Sequence, residues 1–215
     1  VRRILLAFVI ALSVACASLP VRHPLVIARP HVEGLRNPKG QIFCTVFPIN
    51  QTEHLWMTAL HCAVGLAEGS STPQGDPYPA FIGGEATVPY KFFPESGVAI
   101  LFTPGQTALA FQLDDTEVYE GEKVEMAGHG LGLENTTWFH GDVAAVNVYS
   151  PWGMFFNFFS MPVCHGHSGS PVLNSANGKV MSVMQIVLSE GSCGSPSGGT
   201  TLPDLTRDTG AYWQH

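Results

Sequence analysis

Ser168 lies in Gly166-His167-Ser168-Gly169-Ser170-Pro171, and His61 lies in Thr58-Ala59-Leu60-His61-Cys62. A serine hydroxyl is a poor nucleophile at neutral pH. It needs a base within hydrogen-bond reach, and a histidine with a pKa near the working pH fills that role. Glycine after the serine permits the tight turn that exposes a nucleophile. A glycine two residues before it leaves an unobstructed backbone N–H to face a developing oxyanion. Taken singly, a histidine beside a cysteine or a serine between glycines is an ordinary core or turn residue. Taken together, the two runs describe acyl transfer. Such a histidine also needs an acceptor to orient it.

Both runs resemble motifs of the trypsin/chymotrypsin family of serine proteases, T-A-x-H-C around the base and G-D-S-G-G/S-P around the nucleophile, in that family's chain order. Gly40-Gln41-Ile42-Phe43-Cys44, Trp56-Met57-Thr58 and the stretch from Gly121 to Ala127-Gly128-His129-Gly130 fall where the resemblance requires them. It spans most of the chain from about Gly40 to Cys193. The resemblance implies an all-β fold of two antiparallel Greek-key β-barrels, chymotrypsin-like, with the active site in the cleft between them. It implies a serine endopeptidase with Ser168 as nucleophile, His61 as general base and the N–H groups of Gly166 and Ser168 as oxyanion hole. No cofactor or metal is needed, and the partner is a polypeptide substrate or inhibitor of a monomeric protein. It pairs Cys44 with Cys62 and Cys164 with Cys193, where the sequence alone allows three pairings. It puts Pro162 at the floor of the substrate pocket, which disfavours Lys or Arg side chains, and Gln185, Ile186 and Val187 along its wall.

Two positions depart from the family pattern. The aspartate that accepts a hydrogen bond from the histidine stands immediately before the V-A-x-L strand in the family, and here Gly97 precedes Val98-Ala99-Ile100-Leu101. Losing that carboxylate slows a protease about 10⁴-fold in the best-studied case. Glu95, two positions earlier, is the favoured substitute. Asp76 and Glu85 lie in preceding loops, and a bare His61–Ser168 dyad or an ordered water also remains open. His167 is the second departure. It replaces the aspartate that holds the nucleophile loop in members activated by clipping, so another contact must hold Gly166 to Ser168. These departures leave a rival function, a catalytically impaired pseudoprotease serving as a secreted binding or scaffold protein.

Composition agrees with an exported β protein. The 215 residues are 45% hydrophobic and only 13% charged, with 23 Gly and 16 Pro, which suits many short strands and turns. Arg2-Arg3, the apolar Ile4 to Ala15 and the small residues Ala15-Cys16-Ala17 read as a signal peptide over 1–17. The apolar run is shorter than the roughly 20 residues that cross a bilayer. The mature chain is then secreted or periplasmic and not a membrane protein, with lipid attachment at Cys16 a lesser option. Removing Cys16 leaves four cysteines, an even set suited to an oxidising compartment. The formal net charge of -7, with no Lys/Arg cluster, excludes polyphosphate tracking and hence nucleic acid.

Along the chain, the barrels are expected over 18–110 and 111–215. Gln41 to Phe47 and Leu55 to Ala59 read as strands joined by a turn at Asn50-Gln51-Thr52-Glu53, and Val98 to Phe102 as a buried strand. Glu68 to Pro79 reads as a surface loop and Thr103 to Asp115 as the crossing between barrels. Lys123 to Ala127, Asp142 to Val146, Met154 to Phe159 and Met181 to Leu188 complete the readable strands. Family members end in a helix, but Leu202 to Gly210 is short and turn-prone, so that helix is expected to be reduced or absent. Cys164-His165-Gly166-His167, with His129 or His140, has metal-like spacing, yet a cysteine committed to a disulfide is no thiolate ligand. The α/β-hydrolase elbow G-x-S-x-G fails because Ser170 stands at its last glycine.

Overall fold

The structure, a computed structural model, describes residues 30–68, 80–106, 108–150, 153–187 and 193–214. The signal-like segment and most of the loop from Glu68 to Pro79 lie outside the described residues.

Two closed six-stranded barrels form the body. The first comprises β1 (Glu33–Arg36), β2 (Ile42–Asn50), β3 (Leu55–Ala59), β4 (Ala80–Ile82), β5 (Glu85–Phe93) and β6 (Val98–Phe102), in the order β1-β2-β3-β6-β5-β4. The second comprises β7 (Lys123–Gly128), β8 (Thr137–Tyr149), β9 (Phe155–Phe159), β11 (Pro171–Asn174), β12 (Val180–Val187) and β14 (Ser197–Thr200), in the order β11-β12-β14-β9-β8-β7. Every pairing in the barrels is antiparallel. A separate two-stranded ribbon pairs β10 (Val163–Cys164) with β13 (Cys193–Gly194).

β-branched and aromatic residues make these strands, and closure removes their edges. β3 and β6 are buried nearly throughout, Trp56 facing Leu101 and Met57 facing Ile100. β9 buries Phe156 and Phe159 in the second barrel and leaves Phe155 exposed, so the aromatic run fills a core rather than a surface patch. Each such burial contributes about 1.5–3 kcal/mol. One apolar cluster runs through both barrels. Phe47, Ile49, Leu55, Met57, Val98 and Ile100 of the first meet Leu173, Val180 and Val183 of the second, with Leu205 and Trp213 between them.

Two helices escape a strand-based reading. α1 (Leu60–Glu68) follows β3 without a break. α2 (Leu202–Thr209) is the terminal helix that the sequence was expected to reduce or omit, and it is present at 8 residues. Thr201 caps it by accepting from Asp204 N–H, Pro203 sits in its first turn, and Leu202, Leu205 and Thr209 form its buried face. Its short length hid a sound start signal. The chain then turns so that Trp213 stacks near Phe47 and donates its indole N–H to Thr209 Oγ1 at 2.9 Å.

Candidate active site

His61 stands in the first turn of α1, where β3 ends. Cys44 of β2 is bonded to Cys62, tying that turn to the barrel. A ring nitrogen of His61 and the two sulfurs lie within 4.8 Å of one another. Both sulfurs are spent in the disulfide, so the trio is a packing contact and not a thiolate metal site. His61 is exposed, yet the protein around its ring desolvates it and lowers its pKa below the ordinary value. Desolvation disfavours imidazolium, so the ring is neutral near pH 7 and able to take a proton. No carboxylate among the described residues opposes that effect, and His61 makes no side-chain hydrogen bond to any of them.

The nucleophile loop runs from β10 to β11 and is pinned to the first barrel. The carbonyl of Ser168 accepts from Thr45 N–H at 2.8 Å, and that of Gly166 accepts from Thr45 Oγ1 at 2.9 Å. Thr45 Oγ1 in turn accepts from His129 N–H at 2.9 Å, so one buried hydroxyl joins β2 to two loops of the second barrel. Gly169 N–H donates to the carbonyl of Met184 at 2.8 Å. Gly169 has φ +86°, and a Cβ there would run into the Thr45 carbonyl and Thr58 Oγ1 and lie 3.0 Å from Ala59 N. Only glycine lets the loop lie this close to the strand that delivers His61. The carbonyl of Ser168 is 3.9 Å from Cys62 Sγ, so the nucleophile loop lies against the residue that follows His61. Among the described residues, neither the Ser168 hydroxyl nor the N–H of Gly166 or Ser168 has a hydrogen-bond partner. A nucleophile and a two-donor anion cradle need that vacancy.

His167 answers how the loop is held. It is buried, with 1% of its surface exposed. Its Nδ1 accepts from Cys164 N–H at 2.8 Å, which leaves Nε2 to donate to Thr137 Oγ1 at 3.2 Å, and Thr137 donates onward to the Gly128 carbonyl. Phe139 packs edge-on against the ring at 5.0 Å. Gly130 leaves the room the imidazole needs, since a Cβ there would enter the ring. Burial first, and nearby His129 second, push the His167 pKa down to about 4. A neutral imidazole with both nitrogens used thus substitutes for a charged anchor.

The place of the missing acid is also defined. Gly97 O accepts from Leu60 N–H at 2.7 Å, extending the β3–β6 ladder by one step beside His61. Gly97 has φ +69°, and a Cβ on it would lie 3.5 Å from Cδ and Oε1 of Gln185 and 3.6 Å from Met154 Sδ. Glu95 is not brought to His61. Its side chain is 82% exposed and pairs with Arg207 of α2 at 3.3 Å. Glu85 opens β5 on an exposed turn, and Asp76 lies outside the described residues.

Of the pocket residues, Gln185 is buried on β12, and Pro162 is exposed ahead of β10. Ile186 and Val187 pair with Gly198 and Ser197 of β14, and their side chains lie outside the described set. Cys164 is bonded to Cys193 and faces it across β10 and β13. His165 is exposed and His140 sits near Glu125, so the metal-like histidines are not assembled. A cavity of about 1300 Å³ lies elsewhere, between the crossing segment and α2, and is lined by neither His61 nor Ser168. Thr45, Thr137 and Thr200 give no sign of their roles in the sequence, and His129 reads there only as a turn residue and a metal-like histidine. Single threonines on strands carry no local signal of a role across barrels.

Comparison with known families matches residues 44–183 to the trypsin-like peptidase domain. Comparison with curated proteins finds no match. Among solved structures, a variant of the HtrA-type protease AlgW with a tripeptide superposes with TM-score 0.69 at 14% identity over 86% of this chain. The matched part is 61% of that longer chain. The Rv3671c protease of M. tuberculosis H37Rv, in an inactive form, superposes with TM-score 0.66 at 19% identity over 89% of this chain and 93% of that one. Deg5 gives TM-score 0.64 at 15% identity, with 84% and 87% covered. At these identities the structures share the fold.

Proposed function

Because this chain belongs to the trypsin-like peptidase domain family, we propose that it is a serine endopeptidase that cleaves polypeptides with Ser168 and His61. One observation carries the reading. The nucleophile loop is bonded to β2 and β12 and lies against the end of β3 where His61 emerges, with the N–H groups of Gly166 and Ser168 uncommitted among the described residues.

In the proposed cycle, neutral His61 takes the Ser168 proton as Oγ attacks the scissile carbonyl. The carbonyl oxygen gains charge and is met by the N–H groups of Gly166 and Ser168. His61 then returns the proton to the leaving amine, and water repeats the sequence to release the acyl group. Nothing in the described site supplies a carboxylate to stabilise imidazolium, so turnover is slow relative to a full triad. The absence of a pocket-floor acid at Pro162 directs the enzyme to apolar or small side chains. The AlgW structures hold peptides, and we extend a peptide partner to this chain. Export through the N-terminal segment, with a monomeric mature protein, completes the proposal.

Gly97 favours a second reading, a pseudoprotease that binds without cutting. Reaction of purified protein with a fluorophosphonate probe separates the two. Labelling that disappears in Ser168→Ala and His61→Ala supports the peptidase, and no labelling of folded protein supports the binder.

A further inference from the structure

A buried polar relay ends at the place left by the missing acid. Gln185 Nε2 donates to Thr200 Oγ1 at 3.2 Å, and Thr200 Oγ1 spends its own proton on the Ser96 carbonyl at 3.0 Å. That order fixes the amide. A hydroxyl already donating to a carbonyl can only accept, so the NH₂ of Gln185 faces Thr200, and its carbonyl oxygen faces Gly97. The relay has a charged anchor at its far end. Burial works to raise the Asp208 carboxyl. Arg207 donates to it at 2.7 Å and, with Ser96 beside it, outweighs burial and holds it below its usual range. The Ser96 hydroxyl is buried and has no hydrogen-bond partner among the described residues. Gln185, Thr200 and Ser96 are each at least nine-tenths buried, where hydrogen-bond chains polarise strongly. Both donors point away from Gln185 Oε1 toward the Ser96 carbonyl, which enriches the free end, Oε1, as an acceptor.

We infer that Gln185 is the positioning residue for His61: the imidazole bonds no described residue in this structure, and when it turns toward Gly97 its Nδ1–H is accepted by Gln185 Oε1, in place of the carboxylate that Gly97 lacks. Gly97 and Gln185 form a complementary pair, since the glycine removes a side chain and the glutamine reaches into the space beside it. No proton moves to Gln185. The Ser168 proton goes to Nε2, while Nδ1–H remains and donates. A neutral acceptor orients the ring and selects the Nδ1–H tautomer, leaving Nε2 to face the serine. It stabilises imidazolium less than a carboxylate would. The inference rests on the peptidase reading for its consequence, and on the place of Gln185 beside Gly97 for its geometry.

The test reads tautomer and reactivity separately, on the whole protein labelled with ¹⁵N-histidine. In the wild type the neutral His61 signal is that of the Nδ1–H form. Gln185→Met keeps length and removes the acceptor. It moves His61 toward the Nε2–H form common in free histidine and slows fluorophosphonate labelling about tenfold, the effect of one neutral hydrogen bond. Gln185→Glu raises the pKa of His61 and speeds labelling at least tenfold. Thr200→Val frees the amide to turn and gives a mixture of tautomers. An unchanged tautomer in Gln185→Met together with an unchanged His61 pKa in Gln185→Glu overturns the inference, whatever the labelling rate. Tautomer shifts in a protein that never labels support the positioning role while refuting the peptidase reading.

Discussion

His167 gives the sharpest test of how the nucleophile loop is held. In the unfolded chain its pKa is near 6.5, and in the folded protein burial and His129 bring it down to about 4. The folded state therefore favours the neutral ring, and protons bind the unfolded state more readily. The stability involved is fully present above pH 6.5, falls as pH drops below that value, and is gone once pH passes through about 4. At about 1.4 kcal/mol per pKa unit, the loss between pH 7.5 and pH 4.0 is about 3 kcal/mol. The structural cause is specific. A proton on Nδ1 points at Cys164 N–H, turning a 2.8 Å hydrogen bond into a donor–donor clash. Urea unfolding at the two pH values, for wild type and His167→Gln, measures it. Glutamine offers a carbonyl to Cys164 N–H and does not titrate, so the variant loses about 3 kcal/mol less than wild type on acidification. Groups common to both proteins cancel in this difference. Equal acid sensitivity, within about 1 kcal/mol, refutes the assignment of His167 as a neutral anchor.

Three other outcomes follow from the geometry. Gly169→Ala forces an L-residue to φ +86° against the Thr45 carbonyl, costing at least about 2 kcal/mol and abolishing probe labelling; thermal melts and labelling gels check both. Trp213→Ala opens a cavity in the core shared by the barrels and costs about 3–5 kcal/mol, read from denaturant midpoints. Glu95→Gln removes only an exposed ion pair with Arg207, so labelling stays within twofold of wild type; a larger fall restores Glu95 as the substitute acid.

The architecture was legible because its marks are local. Turn residues at Asn50 to Glu53 separate β2 from β3, and the unbroken Val98 to Phe102 run forms β6. The cysteine pairings implied by the resemblance match the disulfides in the structure. Strands with mixed faces were harder. β5 carries a single fully buried residue, Thr87, and shows no apolar alternation to read. β8 was recognised only over its second part, since Thr137 to Gly141 lacks a continuous apolar face. The helix after β3 went unread because its sequence resembles a buried strand. At the site, Glu95 looked close along the chain, but β6 begins after it and turns its side chain toward α2. Gln185 was placed on a pocket wall, and its nearness to Gly97 depends on a contact between the barrels that no local pattern encodes.

Trp213 lies against Phe47 and its neighbour Gln214 donates to the Ile49 carbonyl, so the last described residues complete the core of the first barrel. A first barrel without these residues has its core open on the side that Trp213 covers. Chains of two units usually fold one unit at a time, and here the core of the first barrel is completed by residues from the far end of the described chain. The pairing of the His61 region with the Ser168 loop likewise draws on both barrels, so it exists only once both have closed on each other.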